Sequence, residues 1–407
     1  MRTISAEALG AHLAALPLVN ARVIASGNHA APTKLLAAAA GSLERFRLFM
    51  LNAPAGIPRR DGITLETPFV GAGMRGQSNL AYYPCRLSLV PALLKQRLEP
   101  DIVLIHVAPA RNGLLSLGVE VNILPAAIEV ARARGGLVVA QVNPQMPYTC
   151  GDSTIPVDEV DLAVDVDEPI GELHHPPIGD IQQVIGQHVA SLVPDGATLQ
   201  LGIGAIPDAT LAALGDASGL RIWSEMISDG VLRLDQAGAL SKDEPLTTSF
   251  AAGGQEFYTW LHESNRVIFC RTERANDPAV IARQPAMTSI NAALQVDLFA
   301  QANASYVRGK IYSGFGGQTD FIVGALHAPE GHAIIALPSW HSSSSTSTIV
   351  DHLPCPATSF QHSYVVTEQG IATIWGRPQR EQAAQLIEHA AAPDARAELR
   401  EHAELLF

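Results

Sequence analysis

The sequence predicts an α/β protein built from two similar open-sheet domains. A continuous apolar run, 101–107 (DIVLIHV), has the character of a strand buried on both faces, and 137–142 (LVVAQV) reads as the next strand. Between them, 123–134 places Leu124, Ala127, Ile128 and Ala131 at i, i+3, i+4 and i+7, the stripe of a helix packed on a sheet, with Pro125 in its first turn. That is a βαβ unit, which makes the sheet parallel there. The pattern returns in the second half as a strand (198–201), a glycine turn (Gly202-Ile203-Gly204), an apolar helix (205–214) and a second strand (220–223). At 407 residues the chain is longer than one ordinary core fills.

Composition narrows the class. With 47% hydrophobic and 16% charged residues the chain is globular rather than disordered. A net charge of −13 argues against a general nucleic-acid binder or a polybasic membrane-surface protein. It leaves room for an anionic ligand, because glycine-turn amides and helix N-termini hold phosphate on acidic proteins too. Cys85, Cys150, Cys270 and Cys355 lie far apart without a CxxC, so neither a zinc knuckle nor a disulfide framework is expected. The opening MRTISAEALGAHLAALP reads as an amphipathic helix rather than a signal sequence, and no run reaches 18 uninterrupted apolar residues. A cytoplasmic enzyme is the expectation.

Taken in order, an N-terminal helix leads to the apolar pair Val23-Ile24, the segment Gly27-Asn28-His29 and a strand near 47–52. Gly71, Gly73 and Gly76 formally satisfy GxGxxG, but no clear β-run precedes them and Tyr82-Tyr83-Pro84 interrupts any helix that follows. The nearest acids, Glu99 and Asp101, precede a strand instead of ending one, so a plain loop is expected there. An acidic linker, 158–172, runs into His174-His175-Pro176-Pro177, and the domain boundary falls near 172–180, giving domains of 1–176 and 177–407. Neighbouring histidines seldom ligate one ion, so no metal site is read here. The second half opens with a helix, 178–192. Further strands are expected at 266–270, 333–337 and 364–367, with a turn and short helix after Asn276-Asp277-Pro278, a polar loop at 342–347 and a helical tail from Gln379.

No GxSxG and no GxxxxGK[ST] occurs, so neither a serine-hydrolase elbow nor a P-loop is present. What remains is a carboxylate at a strand end (Glu225), an amide in a turn (Asn276) and a glycine cluster (Gly314, Gly316, Gly317). These are parts of an acyl-transfer site. A carboxylate can attack a thioester carbonyl to form a mixed anhydride. A side-chain amide and a glycine N–H can then stabilise the oxyanion, glycine because no Cβ blocks the substrate. Each has a plainer reading. Glu225 after Ser224 fits a first-turn acid on a helix dipole, Asn276 a turn former, and the glycines conformational punctuation.

Taken together the motifs resemble the acetyl-CoA hydrolase/transferase family, with its 4-hydroxybutyrate and butyrate–acetate CoA-transferases. The matching stretches are LQLGIGAIPDATL (199–211), WSEMISDG (223–230), ANDPAVIA (275–282), INAALQVDL (290–298), SGFGGQTDF (313–321) and VVTEQGIA (365–372), with SLGVEVN (116–122) and VNPQMPYTCGD (142–152) in the first half. The resemblance implies CoA-transferase-type α/β domains with the active site between them. It also implies ping-pong transfer of CoA between a short-chain acyl-CoA and a carboxylic acid, through an acyl-glutamyl anhydride and a glutamyl-CoA thioester. Glu225 is then the nucleophile, Asn276 the oxyanion amide and Gly317 the backbone oxyanion donor. Gly202, Gly204, Ala205, Ile206, Pro207, Gly314, Gly316 and Gln318 would line the substrate and CoA. Coenzyme A is a substrate, with no metal or other cofactor, and a homodimer or tetramer is implied.

The chain departs from the family pattern in four places. Val323, Thr348 and Ser359 stand where arginine is common, and Arg111-Asn112-Gly113 replaces an acidic-His-Gly ahead of SLG. These changes bear on acyl specificity and CoA-phosphate binding, and leave Glu225, Asn276 and Gly317 in place. The alternatives are an acyl-CoA hydrolase using the same glutamate, and a non-catalytic CoA-binding α/β protein.

Overall fold

The computed structural model describes residues 1–407 apart from His175, Pro176, Ser343, Pro356 and 358–360, and the backbone alone of Glu263. The chain forms two compact units. The first comprises Met1–Leu173, Thr247–Ala275 and Tyr312–Gly316; the second comprises His174–Leu246, Asn276–Ile311 and Gly317–Phe407. The first passage from one to the other, at Leu173–His174, lies beside the acidic linker. The two later returns carry no comparable break in composition.

The sheet of the first unit contains β1 (Arg2–Thr3), β2 (Ala21–Ala25), β3 (Phe46–Phe49), β4 (Ile63–Thr67), β5 (Leu80–Tyr82), β6 (Ile102–Arg111), β7 (Leu137–Val142) and β8 (Leu162–Asp165). Their spatial order is β1-β8-β7-β6-β2-β3-β4-β5, with every neighbouring pair parallel. The sheet grows from β2 through β3 to β5 on one side, and the chain then returns to β6 on the other. Strand order therefore reverses between β2 and β6, the kind of switch point at which open α/β sheets bind ligands. Ile102, Val103, Leu104, Ile105 and Val107 are completely buried, as a strand covered on both faces requires. Each contributes about 1.5–3 kcal/mol of hydrophobic stabilisation. Helix α1 (Leu124–Ala133) packs as its stripe predicts, with Leu124, Ala127, Ile128 and Ala131 buried. GxGxxG is a loop followed by no helix. Val267–Phe269, expected as a strand of the second half, pairs with Cys150–Gly151 within the first unit.

The second unit's sheet contains β9 (Thr198–Leu201), β10 (Arg221–Ile222), β11 (Thr288–Ala292), β12 (His332–Ala336), β13 (Tyr364–Thr367) and β14 (Gly370–Thr373). Their order is β10-β9-β11-β12-β13-β14, parallel except for the closing β13–β14 hairpin. Here the order reverses between β9 and β11. Helices α2 (Asp180–Ala190), α3 (Ala205–Ala213), α4 (Asp229–Ala237), α5 (Pro278–Ile281) and α6 (Gln318–His327) connect or cover these strands. A core of Ile281, Val296, Phe321, Ile322, Ile335, Leu337 and Val365 lies beneath α6 and the C-terminal helices. Among the described residues no helix is long and apolar enough to cross a membrane.

Candidate active site

Glu225 sits on a bend between β10 and the short strand Met226–Ile227. The first-turn reading of this glutamate is thereby corrected. The next helix, α4, begins at Asp229 with Ser228 in the N-cap position, so the acid on its dipole is Asp229. The bend is tied to the sheet by its neighbour. Ser224 is 1% exposed, and its Oγ accepts from Leu201 N and donates to Leu201 O, both at 3.3 Å. The hydroxyl thus extends the β9–β10 ladder past its last paired residues and holds the main chain that carries Glu225.

Asn276 is fully buried, and its Nδ2 donates to Glu225 Oε2 at 2.8 Å. The turn-forming work that sequence alone leaves open to Asn276 belongs to its neighbour. Asp277 caps α5, its Oδ1 accepting from Ala279 N at 2.8 Å, and Pro278 opens the helix. Asn276 is left to face the carboxylate.

Gly317 occupies the N-cap position of α6 with an ordinary helical backbone (φ −92°, ψ −3°). Glycine is required there by space and not by torsion. A Cβ at 317 would fall on Glu225 Oε2 and Asn276 Nδ2, with Glu225 Cδ 3.0 Å away. Glu225, Asn276 and Gly317 therefore converge within one unit, and the amide end of a ten-residue helix opens at the same point. Two polar atoms close to this convergence are buried without a hydrogen-bond partner among the described residues: Asn276 Oδ1, an acceptor, and Gln318 Nε2, a donor.

The remaining residues named from sequence divide by location. Gly202 follows the residue that Ser224 binds, Gly204 takes the N-cap position of α3 with φ +121°, and Ala205, Ile206 and Pro207 form that helix's first turn. Gly314 and Gly316 belong to the first unit. There Gly314 bridges to Phe69, and Gly316 O accepts from Leu87 N at 2.9 Å.

Two departures from the family pattern acquire a local reason. Asn112 and Gly113 form the hairpin turn from β6 to Leu114–Ser116, with φ of +50° and +78°, the left-handed pair an Asn-Gly hairpin uses. Thr348 is buried, and its Oγ1 donates to Pro338 O at 2.6 Å. Val323 lies half-buried on α6. Ser359 lies outside the described residues, as do His175 and Pro176 of the linker and Ser343 of the polar loop. Among the described residues no group of three or more His, Cys, Asp or Glu is placed to hold a metal ion.

Two family models match the chain: the acetyl-CoA hydrolase/transferase N-terminal domain over residues 60–172 and the C-terminal domain over 253–403. The chain belongs to the acetyl-CoA hydrolase/transferase family. Asn276 and 314–318 lie within the second match, whereas Glu225 and 202–207 lie between the two. The 4-hydroxybutyrate coenzyme A transferase of Clostridium kluyveri is 40% identical over 334 residues, 78% of this chain and 77% of the relative. The crystal structure of RipA from Yersinia pestis matches with a TM-score of 0.92 and 28% identity, covering 100% of this chain and 97% of that one. That of 4-hydroxybutyrate CoA-transferase from Porphyromonas gingivalis matches with a TM-score of 0.82 and 31% identity, covering 100% and 98%. Curated relatives include CoA-transferases and acetyl-CoA hydrolases, and this family member is an enzyme of one of these kinds.

Sequence reasoning missed Ser224 and a buried polar set on the second sheet. There Gln200 Oε1 accepts from Ser289 Oγ at 2.7 Å and from Asn291 Nδ2 at 3.1 Å across the β9–β11 switch point. The signal for Ser224 is its place directly before Glu225. Gln200 carries one too, as an amide between two leucines of a buried strand.

Proposed function

We propose that the protein transfers coenzyme A between a short-chain acyl-CoA and a carboxylic acid, with Glu225 as the covalent nucleophile. The Glu225 carboxylate attacks the thioester carbonyl, and the tetrahedral oxyanion collapses by expelling CoA thiolate to leave an acyl-glutamyl anhydride. The thiolate attacks the glutamyl carbonyl and releases the first carboxylate, giving a glutamyl-CoA thioester. The acceptor carboxylate attacks that thioester, and the departing thiolate takes the acceptor's acyl group from the new anhydride and regenerates Glu225. Charge balances at each step, and no step calls for a metal or redox cofactor. Coenzyme A enters only as substrate.

The observation carrying this reading is the 2.8 Å bond from Asn276 Nδ2 to Glu225 Oε2 beside a glycine with no room for a Cβ. Donors held next to the nucleophile are where an oxyanion formed on the attacked carbonyl needs them. A bound substrate amide would also answer the unpaired Asn276 Oδ1 and Gln318 Nε2, and the pantetheine arm of CoA carries such amides.

The test is borohydride trapping of the protein after incubation with acetyl-CoA, followed by peptide mass spectrometry. A modified peptide containing Glu225 is expected. Trapping elsewhere, or unchanged turnover in Glu225→Ala, overturns the assignment. Because the family also holds hydrolases, thiol release is compared with and without added carboxylate. Release that ignores the acceptor and yields no new acyl-CoA assigns the same glutamate to hydrolysis.

A further inference from the structure

The second unit's sheet carries a cavity at the edge opposite to Glu225. His362 comes just before β13, and Trp375 comes just after β14, whose hairpin with β13 returns the chain to the same end. There Ile374 N and Trp375 N both donate to Ser363 O, at 2.9 and 3.3 Å. This is the edge where the parallel strands begin, whereas Glu225 follows the end of β10. β10 and β13 are also four strand spacings apart, about 20 Å across the sheet alone. The cavity that His362 and Trp375 line measures about 210 Å³, and every residue around it belongs to the second unit. An apolar cavity of about 150 Å³ takes a benzene ring, so this one has room for one ring system.

The lining is neutral, and this sets the class of ligand. Among the described residues no Asp, Glu, Lys or Arg lines the cavity. His362 is completely buried, and burial pushes its imidazole down to about 4 although a ring N–H serves Ala300 O. The ring is therefore uncharged at neutral pH. Ile374, Phe299 and Trp375 supply apolar wall. Phe299 is held from behind by Phe407, the ring centroids 5.3 Å apart and the planes at 66°. Trp375 is 57% exposed, so much of its indole stays open to a ligand. Polar contacts come from amides. Gln382 Nε2 donates to Arg377 O at 2.9 Å, which leaves Oε1 and one N–H for other partners. Gln361 and Gln379 are exposed, and their side-chain amides make no hydrogen bond among the described residues.

We propose that this cavity binds an adenine ring, stacked on Trp375 and read by the glutamine amides. A flat, uncharged heterocycle suits a neutral lining with one open indole, where stacking of a base on an aromatic ring is favourable. A primary amide sets an acceptor beside a donor, the complement of adenine's N6–H and N7. Guanine presents two acceptors on that edge, and one amide serves only one of them. An acid or a phosphate finds no cation in this lining, and a sugar finds no carboxylate to take its hydroxyl donors. Two sources carry the adenine ring, a free nucleoside and the adenine end of coenzyme A, and the test separates them.

The test is saturation-transfer NMR titration of the full chain with adenosine, guanosine, uridine and glucose. Adenosine should bind about threefold or more tighter than guanosine, one hydrogen bond's worth. Trp375→Ala should weaken adenosine about tenfold, and Trp375→Phe, which keeps a ring to stack on, should restore most of the loss. Because the indole is largely exposed, both variants should melt with wild type. Competition identifies the source. Adenosine retained under saturating CoA marks a free nucleoside as the ligand, and displacement by CoA but not by pantetheine marks the adenine end of CoA. Displacement by pantetheine, which has no adenine, puts adenosine at another site and overturns the proposal. So does an absence of adenosine binding, an affinity unchanged in Trp375→Ala, or equal binding of guanosine, uridine or glucose. The readout is binding, so it is independent of whether Glu225 transfers CoA.

Discussion

The two units place a glutamate near the switch point of each sheet and treat it in opposite ways. Glu120 is sealed in and fully supplied with donors from Asn28, Asn122 and Gly27. Glu225 is half-buried on a bend, with Asn276 on one oxygen and a glycine pressed against it. A carboxylate satisfied on all sides is a poor nucleophile, since attack must first break its hydrogen bonds. Glu225 is only half-buried, and its Oε2 takes up the place that a Cβ at position 317 would need. We read the contrast as one between a carboxylate that organises its surroundings and one proposed to react.

Removing the proposed nucleophile should have the largest effect. Glu225→Ala is expected to lower kcat by about 10⁴ or more, as loss of a covalent nucleophile does, while Glu120→Gln leaves turnover of an unsubstituted acyl-CoA within a few-fold. Steady-state assays on both variants check this. Equal losses would erase the distinction between the two sites.

Next come the groups pressed against Glu225. Asn276→Ala and Gly317→Ala are each expected to cost about 10²–10³ in kcat, the range for an oxyanion donor, with little change in melting temperature. Gly317→Ala is the sharper case. Its φ of −92° suits alanine, so any loss arises from the Cβ meeting Glu225 and Asn276 rather than from backbone strain. A fully active Gly317→Ala would remove Gly317 from the oxyanion assignment.

Much of this was legible in the sequence. Strand Ile102–Arg111 begins where apolar continuity placed it, because a strand buried on both faces leaves a long apolar run. Helix Leu124–Ala133 was legible from its 3.6-residue stripe. Glu225, Asn276 and Gly317 were visible as residue types, yet their convergence depends on contacts 51 residues apart and more, which no local pattern encodes. Val267–Phe269 reads as a strand but not as a partner of Cys150–Gly151, since pairing over that separation is set by tertiary packing. The network around Glu120 was hidden differently. SLGVEVN shows a carboxylate in an apolar stretch with one donor, Asn122, beside it, but Asn28 and Asn52 follow two other strands and join the network only through the sheet order.

Glu120 also predicts a pH-dependent stability effect. Its carboxyl is raised from an ordinary 4.5 to about 7, so the folded chain holds that proton more tightly than the unfolded chain. The resulting stability is fully present below about 4.5 and lost as pH rises through about 7. Over that window wild type should lose about 3 kcal/mol relative to Glu120→Gln, whose side chain does not titrate. Urea unfolding of both proteins at pH 5 and pH 8 measures the difference. Parallel pH profiles would mean that Asn28, Asn122 and Gly27 hold the carboxylate ionised throughout.

The smallest effect belongs to Ser224, whose hydroxyl bonds Leu201 and holds the main chain beside the proposed nucleophile. Its hydroxyl bonds both backbone groups of Leu201, but at 3.3 Å these bonds are long and individually weak. Ser224→Ala should therefore lower kcat by only about tenfold, through looser placement of the adjacent glutamate, and leave KM and the melting temperature nearly unchanged. Ser224→Thr keeps the hydroxyl and should recover most of the loss. A purely structural role predicts a different pattern, a drop in melting temperature with kcat intact, because the β9–β10 ladder would fray without moving the chemistry. A kcat loss rescued by threonine assigns Ser224 to Glu225, and a stability loss alone assigns it to the sheet.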